Sequence, residues 1–216
     1  MERDAGHDAG HAARWDDGTS MRLLLSIAML IALAAPAAAK VSVSERTRYY
    51  DVNGRTGAAL MASIRKRGTR GAGARHAIAT TAVEISVEAR PVVKGGRCRF
   101  ADTRVRLKLT YRLPRWRDAG RASPRLRSAW QRFERQIRRH EAKHGAIAKS
   151  YARDLERAYK RVSLPARGGC RGAERQLRRI ERLSRAYERR QQAFDRRESR
   201  ASSRVRRLER ALGRAR

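Results

Sequence analysis

Apolar and polar residues alternate twice in the middle of this chain, and each alternation predicts a strand with one buried face. Val83, Ile85, Val87 and Ala89 are interleaved with Glu84, Ser86, Glu88 and Arg90. Val105, Leu107, Leu109, Tyr111 and Leu113 are interleaved with Arg104, Arg106, Lys108, Thr110 and Arg112. Lys94-Gly95-Gly96 lies between them, so the two strands are expected to pair antiparallel. The acidic outer positions of the first would then meet the basic outer positions of the second. Pro114 is expected to end the second strand. A looser alternation over residues 41–52 predicts an earlier strand, stopped by the turn signal Asn53-Gly54. Thr56 can cap a short helix with Leu60, Met61 and Ile64 on its apolar stripe, ending at Gly68. Residues 68–75 read as a flexible loop.

After Ser123-Pro124, a good helix start, the period changes from two to steps of three and four. Leu126, Trp130, Phe133, Ile137, His140, His144, Ile147, Tyr151, Leu155 and Val162 form one seam, with Glu141 at its edge. Gly168-Gly169 reads as the close of this long helix. A last helix from about Gly172 carries Leu177, Ile180, Tyr187 and Phe194 on one stripe, suited to an antiparallel hairpin with the first. Residues 201–216 are a sparse basic amphipath, read either as a disordered tail or as a helix for an anionic surface. The fold class expected is α+β: a small antiparallel sheet packed with one long helix and a C-terminal antiparallel helix.

The N-terminus changes the length of chain that has to fold. Residues 1–20 are polar and lack core periodicity, and read as an over-extended leader before a true start at Met21. Residues 21–39 have a charged start, an apolar run from Leu23 to Ala35 and an Ala37-Ala38-Ala39 cleavage pattern, as in a signal peptide. The apolar run is short for a membrane span, which needs about 20 residues. Periplasmic or secreted localisation follows, with the mature chain starting near Lys40, a domain over residues 40–200 and the basic tail behind it. Cys98 and Cys170 are the two cysteines, and in an exported chain an even pair reads as one disulfide; two separate buried thiols are the alternative.

The formal charge is +32, nearly all from arginine. It implies attraction to anionic surfaces such as lipid head groups or cell-wall polymer. No basic block is interleaved with stacking aromatics and no reader motif is present, so a specific nucleic-acid partner is not expected.

The seam also carries the chemistry. His140-Glu141-Ala142-Lys143-His144 is an H-E-x-x-H sequence on a helix. Histidines four apart share a face and can converge on one metal ion, and the glutamate between them can take a proton from an activated water. This is the donor set of a zinc peptidase: His140 and His144 as ligands, Glu141 as catalytic base, Zn²⁺ as cofactor and a peptide as substrate. Two buried histidines without a ligand would leave ring nitrogens needing partners. The third ligand is open. Ile147 and Ser150 stand where a metzincin needs glycine and histidine, which excludes that arrangement. Glu174, Glu181, Glu188 and Asp195 fall at heptad spacing on the last helix, and His76 lies in the loop region.

Taken together, YYDVNGRT, a cysteine before a strand ending LPRW, and SAWQRFERQIRRHEAKHG followed by a second cysteine resemble the DUF922 family over residues 45–200. Its members are predicted to be secreted or periplasmic zinc-dependent proteases of bacteria. The resemblance implies a zincin-like fold, His140 and His144 as metal ligands, Glu141 as base and a Cys98–Cys170 disulfide. The family's later Y-D-x-x-T-x-H-G element corresponds to Phe194–Ala201, where only the aspartate, Asp195, is kept after an aromatic. Asp195 is therefore the favoured third ligand, ahead of Glu174, Glu181 and Glu188. A basic envelope-binding protein on a degenerate peptidase fold is the alternative function.

Overall fold

The computed structural model describes residues 41–71, 74–167, 170, 174–200 and 202–215. The leader, the signal segment and Gly168-Gly169 lie outside the described residues. Strands β1 (Val41–Val52), β4 (Thr80–Lys94) and β5 (Arg97–Trp116) form one sheet in the order β1-β5-β4, with the short β6 (Leu164–Pro165) also paired to β5. β2 (Thr69–Gly71) and β3 (Ala74–Ala77) make a separate antiparallel ribbon where the sequence suggested a loop. The helices are α1 (Gly57–Arg67), α2 (Pro124–Lys160), α3 (Glu174–Glu198) and α4 (Arg204–Gly213). The class is α+β.

β4 and β5 pair antiparallel as the alternation predicts, with Val83 opposite Leu109 and Ile85 opposite Leu107. They join through Gly95 and Gly96 at φ 57° and 68°, the two left-handed positions that a two-residue hairpin turn requires. On the outer face Glu88 pairs with Arg106, and Glu84 lies 3.9 Å from Lys108. The sheet as a whole is mixed, not antiparallel: β1 runs parallel to β5, with Val41 opposite Val105 and Val52 opposite Trp116. β1 reaches that position by a long connection through α1, the ribbon and β4, which the period of its side chains cannot reveal. Pro114 does not end β5. The strand runs on to Trp116, beyond the point where Thr80 starts β4 opposite Arg112, so the proline sits where its strand has no β4 neighbour.

α2 begins as the sequence indicates, with the Ser123 hydroxyl accepting from the Leu126 N–H and Pro124 in the first turn. It ends at Lys160, earlier than the glycine pair, because the chain must turn to lay β6 beside Arg97 and Cys98. Cys98 and Cys170 form a disulfide, with Cα atoms 5.3 Å apart. The buried strip of α2 is Leu126, Trp130, Phe133, Ile137, Glu141, Gly145, Ala148, Ala152 and Leu155. Tyr151, also buried, keeps its place on the sequence seam, and the strip departs from that seam only between Ile137 and Tyr151, passing through Glu141, Gly145 and Ala148 instead of His140, His144 and Ile147. The middle of the helix lies so close to β5 that only small residues fit, and large side chains mark its flank.

Two core clusters flank this close approach. One holds Trp116, Trp130, Phe133 and the apolar residues of α1; the other holds Val105, Leu107, Leu109, Ala148, Tyr151 and Leu155. The C-terminal helix belongs to the first. Leu212 is fully buried, Ala215 is nearly so, and the Gly57 N–H donates to the Ala215 carbonyl at 2.8 Å. Residues 204–215 are therefore part of the domain and not a separate tail. Val205, Leu208 and Leu212 look sparse because α1 and α2 supply the rest of the apolar surface. Among the described residues, no helix is long and apolar enough to cross a membrane.

Candidate metal centre

α3 runs antiparallel to α2. Asp195 meets His140, Gln191 meets His144, and Tyr187 stacks on Tyr151 with ring centroids 4.6 Å apart. This pairing carries the aspartate to the motif. His140 Nε2 and His144 Nε2 are 3.1 Å apart; Asp195 Oδ1 is 3.0 Å from His144 Nε2 and 3.5 Å from His140 Nε2. Among the described residues, these three form the cluster of metal-ligating side chains. A tetrahedral ion with ligands at about 2.0–2.1 Å needs them about 3.3–3.4 Å from one another, and the observed triangle is close to that. The donor set, two imidazoles and a carboxylate, is one that zinc accepts.

His140 Nδ1 is buried without a hydrogen-bond partner, with the Glu198 carboxylate 3.8 Å away. Burial and the neighbouring His144 push the His140 pKa down, against the pull of Asp195 and Glu198, which favours the neutral imidazole. Phe194 packs on both rings, at centroid distances of 4.7 and 5.0 Å, and fixes their orientation from the apolar side.

Glu141 is the buried member of the motif, only 4% exposed. Its Oε2 accepts from the Thr81 hydroxyl at 2.7 Å, which ties the carboxylate to the start of β4. Burial raises its pKa above the usual carboxylate range, opposed by that hydrogen bond and by His144. A carboxylate so placed is a stronger base than an exposed one. The histidines are only partly buried and open into a cleft of about 800 Å³. Its walls are Ala77–Val83, Ile137, Tyr187, Gln191 and residues of α4 including Val205 and Glu209. β4 borders one side of the cleft; one of its edges is taken by β5, and among the described residues no strand pairs with the other.

Of the other expected ligands, Glu181 is exposed and lies 3.9 Å from Arg185, and Glu188 is exposed on the same helix. The side chains of Glu174 and His76 lie outside the described residues. Arg200, in the position of the family's histidine, is exposed; it lines a separate groove with Lys143, Ile147, Arg190, Arg196 and Arg197. Sequence reasoning missed Thr81, Gln191 and Glu198. Gln191 had a signal: with Tyr187 and Asp195 it makes steps of four along α3, a neutral amide inside an Arg-rich helix. Thr81 had none, because it is a polar residue on the buried face just before the clear alternation begins.

Residues 47–202 match the family model described as bacterial protein of unknown function, DUF922. The match covers most of the chain, and the chain belongs to this family. No curated protein and no solved structure matches it.

Proposed function

We propose that this protein is an exported, zincin-like metallopeptidase that holds Zn²⁺ with His140, His144 and Asp195. The observation that carries the reading is the convergence of two Nε2 atoms and one carboxylate oxygen within 3.5 Å, beside a buried glutamate in one cleft. Zinc bound there would polarise a carbonyl and bring the pKa of a water to about 7. Glu141 accepts the proton of the attacking water and passes it to the leaving amine, a role suited to its raised pKa. The Thr81 hydroxyl holds that carboxylate in one orientation and links it to the strand that would seat the substrate. The edge of β4 left unpaired among the described residues, at 80–83, offers backbone groups to an extended peptide, which strand addition would lay along the cleft. Asp195, about half exposed, leaves the ligand set accessible from the cleft.

Periplasmic or secreted localisation is part of the proposal and is supported by the signal-like residues 21–39 and by the disulfide. A compatible second role is attachment to an anionic envelope surface. The groove of about 670 Å³ lined by Lys143, Arg190, Arg196, Arg197 and Arg200 supports it, with no acidic residue among its described lining. Such attachment would weaken steeply with salt.

The test is proteolysis of an unfolded protein substrate by the purified, zinc-supplemented protein. Cleavage is expected, with loss on chelation, recovery on zinc addition, and loss in Glu141→Gln under conditions where zinc is retained. Cleavage that survives in Glu141→Gln would refute the assigned base. An inactive wild type that binds salt-sensitively to anionic polymer would instead favour the envelope-binding protein.

A further inference from the structure

The ring nitrogens of His144 face two different partners, and what they share decides which of them carries the proton. Gln191 Nε2 lies 3.3 Å from the His144 carbonyl oxygen, an atom that can only accept. The end of the amide facing it is therefore the NH₂ group, whose second hydrogen goes to the Tyr187 hydroxyl at 3.0 Å. That leaves Gln191 Oε1 2.6 Å from His144 Nδ1. Oε1 can only accept, so Nδ1 is the protonated nitrogen. A neutral imidazole has one such proton, and Nε2, 3.0 Å from Asp195 Oδ1, is left bare.

The alternative arrangement shows why this matters. A carboxylate 3.0 Å from an imidazole nitrogen ordinarily takes a hydrogen bond from it. If the His144 proton were on Nε2, Asp195 would accept it and the two ligands would satisfy each other, closing the site. Gln191 removes that option by holding the proton on the far side of the ring. The result is a bare nitrogen that faces a carboxylate and, at 3.1 Å, His140 Nε2, a three-atom cluster that a cation would bridge. The acceptor-only His144 carbonyl keeps the amide from turning over, while Tyr187, stacked on Tyr151, takes the second amide hydrogen. The Glu198 carboxylate, 3.8 Å from His140 Nδ1, makes no hydrogen bond to it and acts on the second ring by its charge alone.

We propose that Gln191 is a positioning residue that locks His144 in its Nδ1–H tautomer and so prevents an Asp195–His144 hydrogen bond from occupying the metal position. This rests on the reading of His140, His144 and Asp195 as a metal site. The experiment pairs two readouts on the full chain, wild type, Gln191→Leu and Gln191→Glu. Long-range ¹H–¹⁵N correlation of the chelator-treated protein, at a pH where the histidines are neutral, reports the tautomer. Competition with a chromophoric chelator reports zinc affinity. Wild type is expected to show His144 protonated at Nδ1. Gln191→Leu moves the proton to Nε2 and weakens zinc binding about 10- to 100-fold. Gln191→Glu keeps an acceptor at Nδ1, and with it the tautomer and most of the affinity, a rescue that mere packing of the helix would not give. A wild-type spectrum with His144 protonated at Nε2, or Gln191→Leu with unchanged zinc affinity, overturns the role of Gln191 while the metal site stands. A wild type that binds no zinc overturns the metal reading itself and with it the purpose of the tautomer.

Discussion

Gly145, next to His144, sets how closely the motif helix approaches the sheet, and a single methyl group tests that. A Cβ at this position would lie 2.2 Å from the Tyr111 hydroxyl, 3.2 Å from its Cζ and 3.3 Å from Leu109 Cδ1. The phenol, which donates to Glu45 Oε2 at 2.8 Å, would have to move by about an ångström. Overpacking of this kind costs about 1–3 kcal/mol. Alanine in a helix interior gains back about 1 kcal/mol over glycine. Gly145→Ala should therefore be net destabilising by up to about 2 kcal/mol in equilibrium urea unfolding. Tyr111→Phe removes the clashing oxygen at the cost of one hydrogen bond to an exposed carboxylate, about 0.5–1.5 kcal/mol. The double variant should be more stable than the sum of the singles predicts by about 1 kcal/mol or more. A strictly additive cycle, or a Gly145→Ala protein more stable than wild type by the full helix-propensity gain, would refute the close approach at Gly145.

Other consequences are independent of that contact. Leu212→Ala should lose about 2–5 kcal/mol by thermal or urea unfolding, because α4 is in the core; a tail would show no loss. Reducing the disulfide, or replacing Cys98 and Cys170 by serine, frees a 72-residue separation and should cost about 4 kcal/mol in the chain-entropy account, read from urea midpoints. Burial raises the Tyr50 pKa from 10.0 to about 12 while its hydroxyl donates to the Ile78 carbonyl at 2.6 Å. The folded protein therefore keeps a proton that the unfolded chain gives up, so this contribution is full below about pH 10 and lost as the pH rises through about 12. Tyr50→Phe should flatten that alkaline decline in melting temperature.

The parts of the fold written in local pattern were legible. The alternations of β4 and β5, the Gly-Gly hairpin, the Ser123-Pro124 helix start and the α2–α3 hairpin all follow from side-chain period and turn chemistry. The parallel pairing of β1 was not, since a strand's period names its faces and not its neighbour. The helical seam is buried as expected at Leu126, Trp130, Phe133, Ile137, Tyr151, Leu155 and Val162, and fails only between Ile137 and Tyr151, for a related reason. Steps of three and four can be threaded through either His140 and His144 or Glu141 and Gly145, and large residues attract the choice. Close approach to β5 selected the small ones, leaving the histidines on the wall of the cleft and Glu141 inside. The candidate site was half visible. His140, Glu141 and His144 stand in one motif, and Asp195 stood out by heptad position and by the family element. Thr81 and Glu198 depend on which strand and which helix turn arrive at the motif, and that is fixed only by tertiary packing.

Zinc stoichiometry measures the central claim most directly. Purified protein, stripped and reloaded with limiting zinc, should hold one ion per chain after gel filtration. His140→Ala, His144→Ala and Asp195→Ala should each fall well below stoichiometric occupancy, whereas Glu181→Ala and Glu188→Ala should match wild type. Stoichiometric zinc in the His140→Ala/His144→Ala double variant, or none in the wild type, would contradict the metal centre described here.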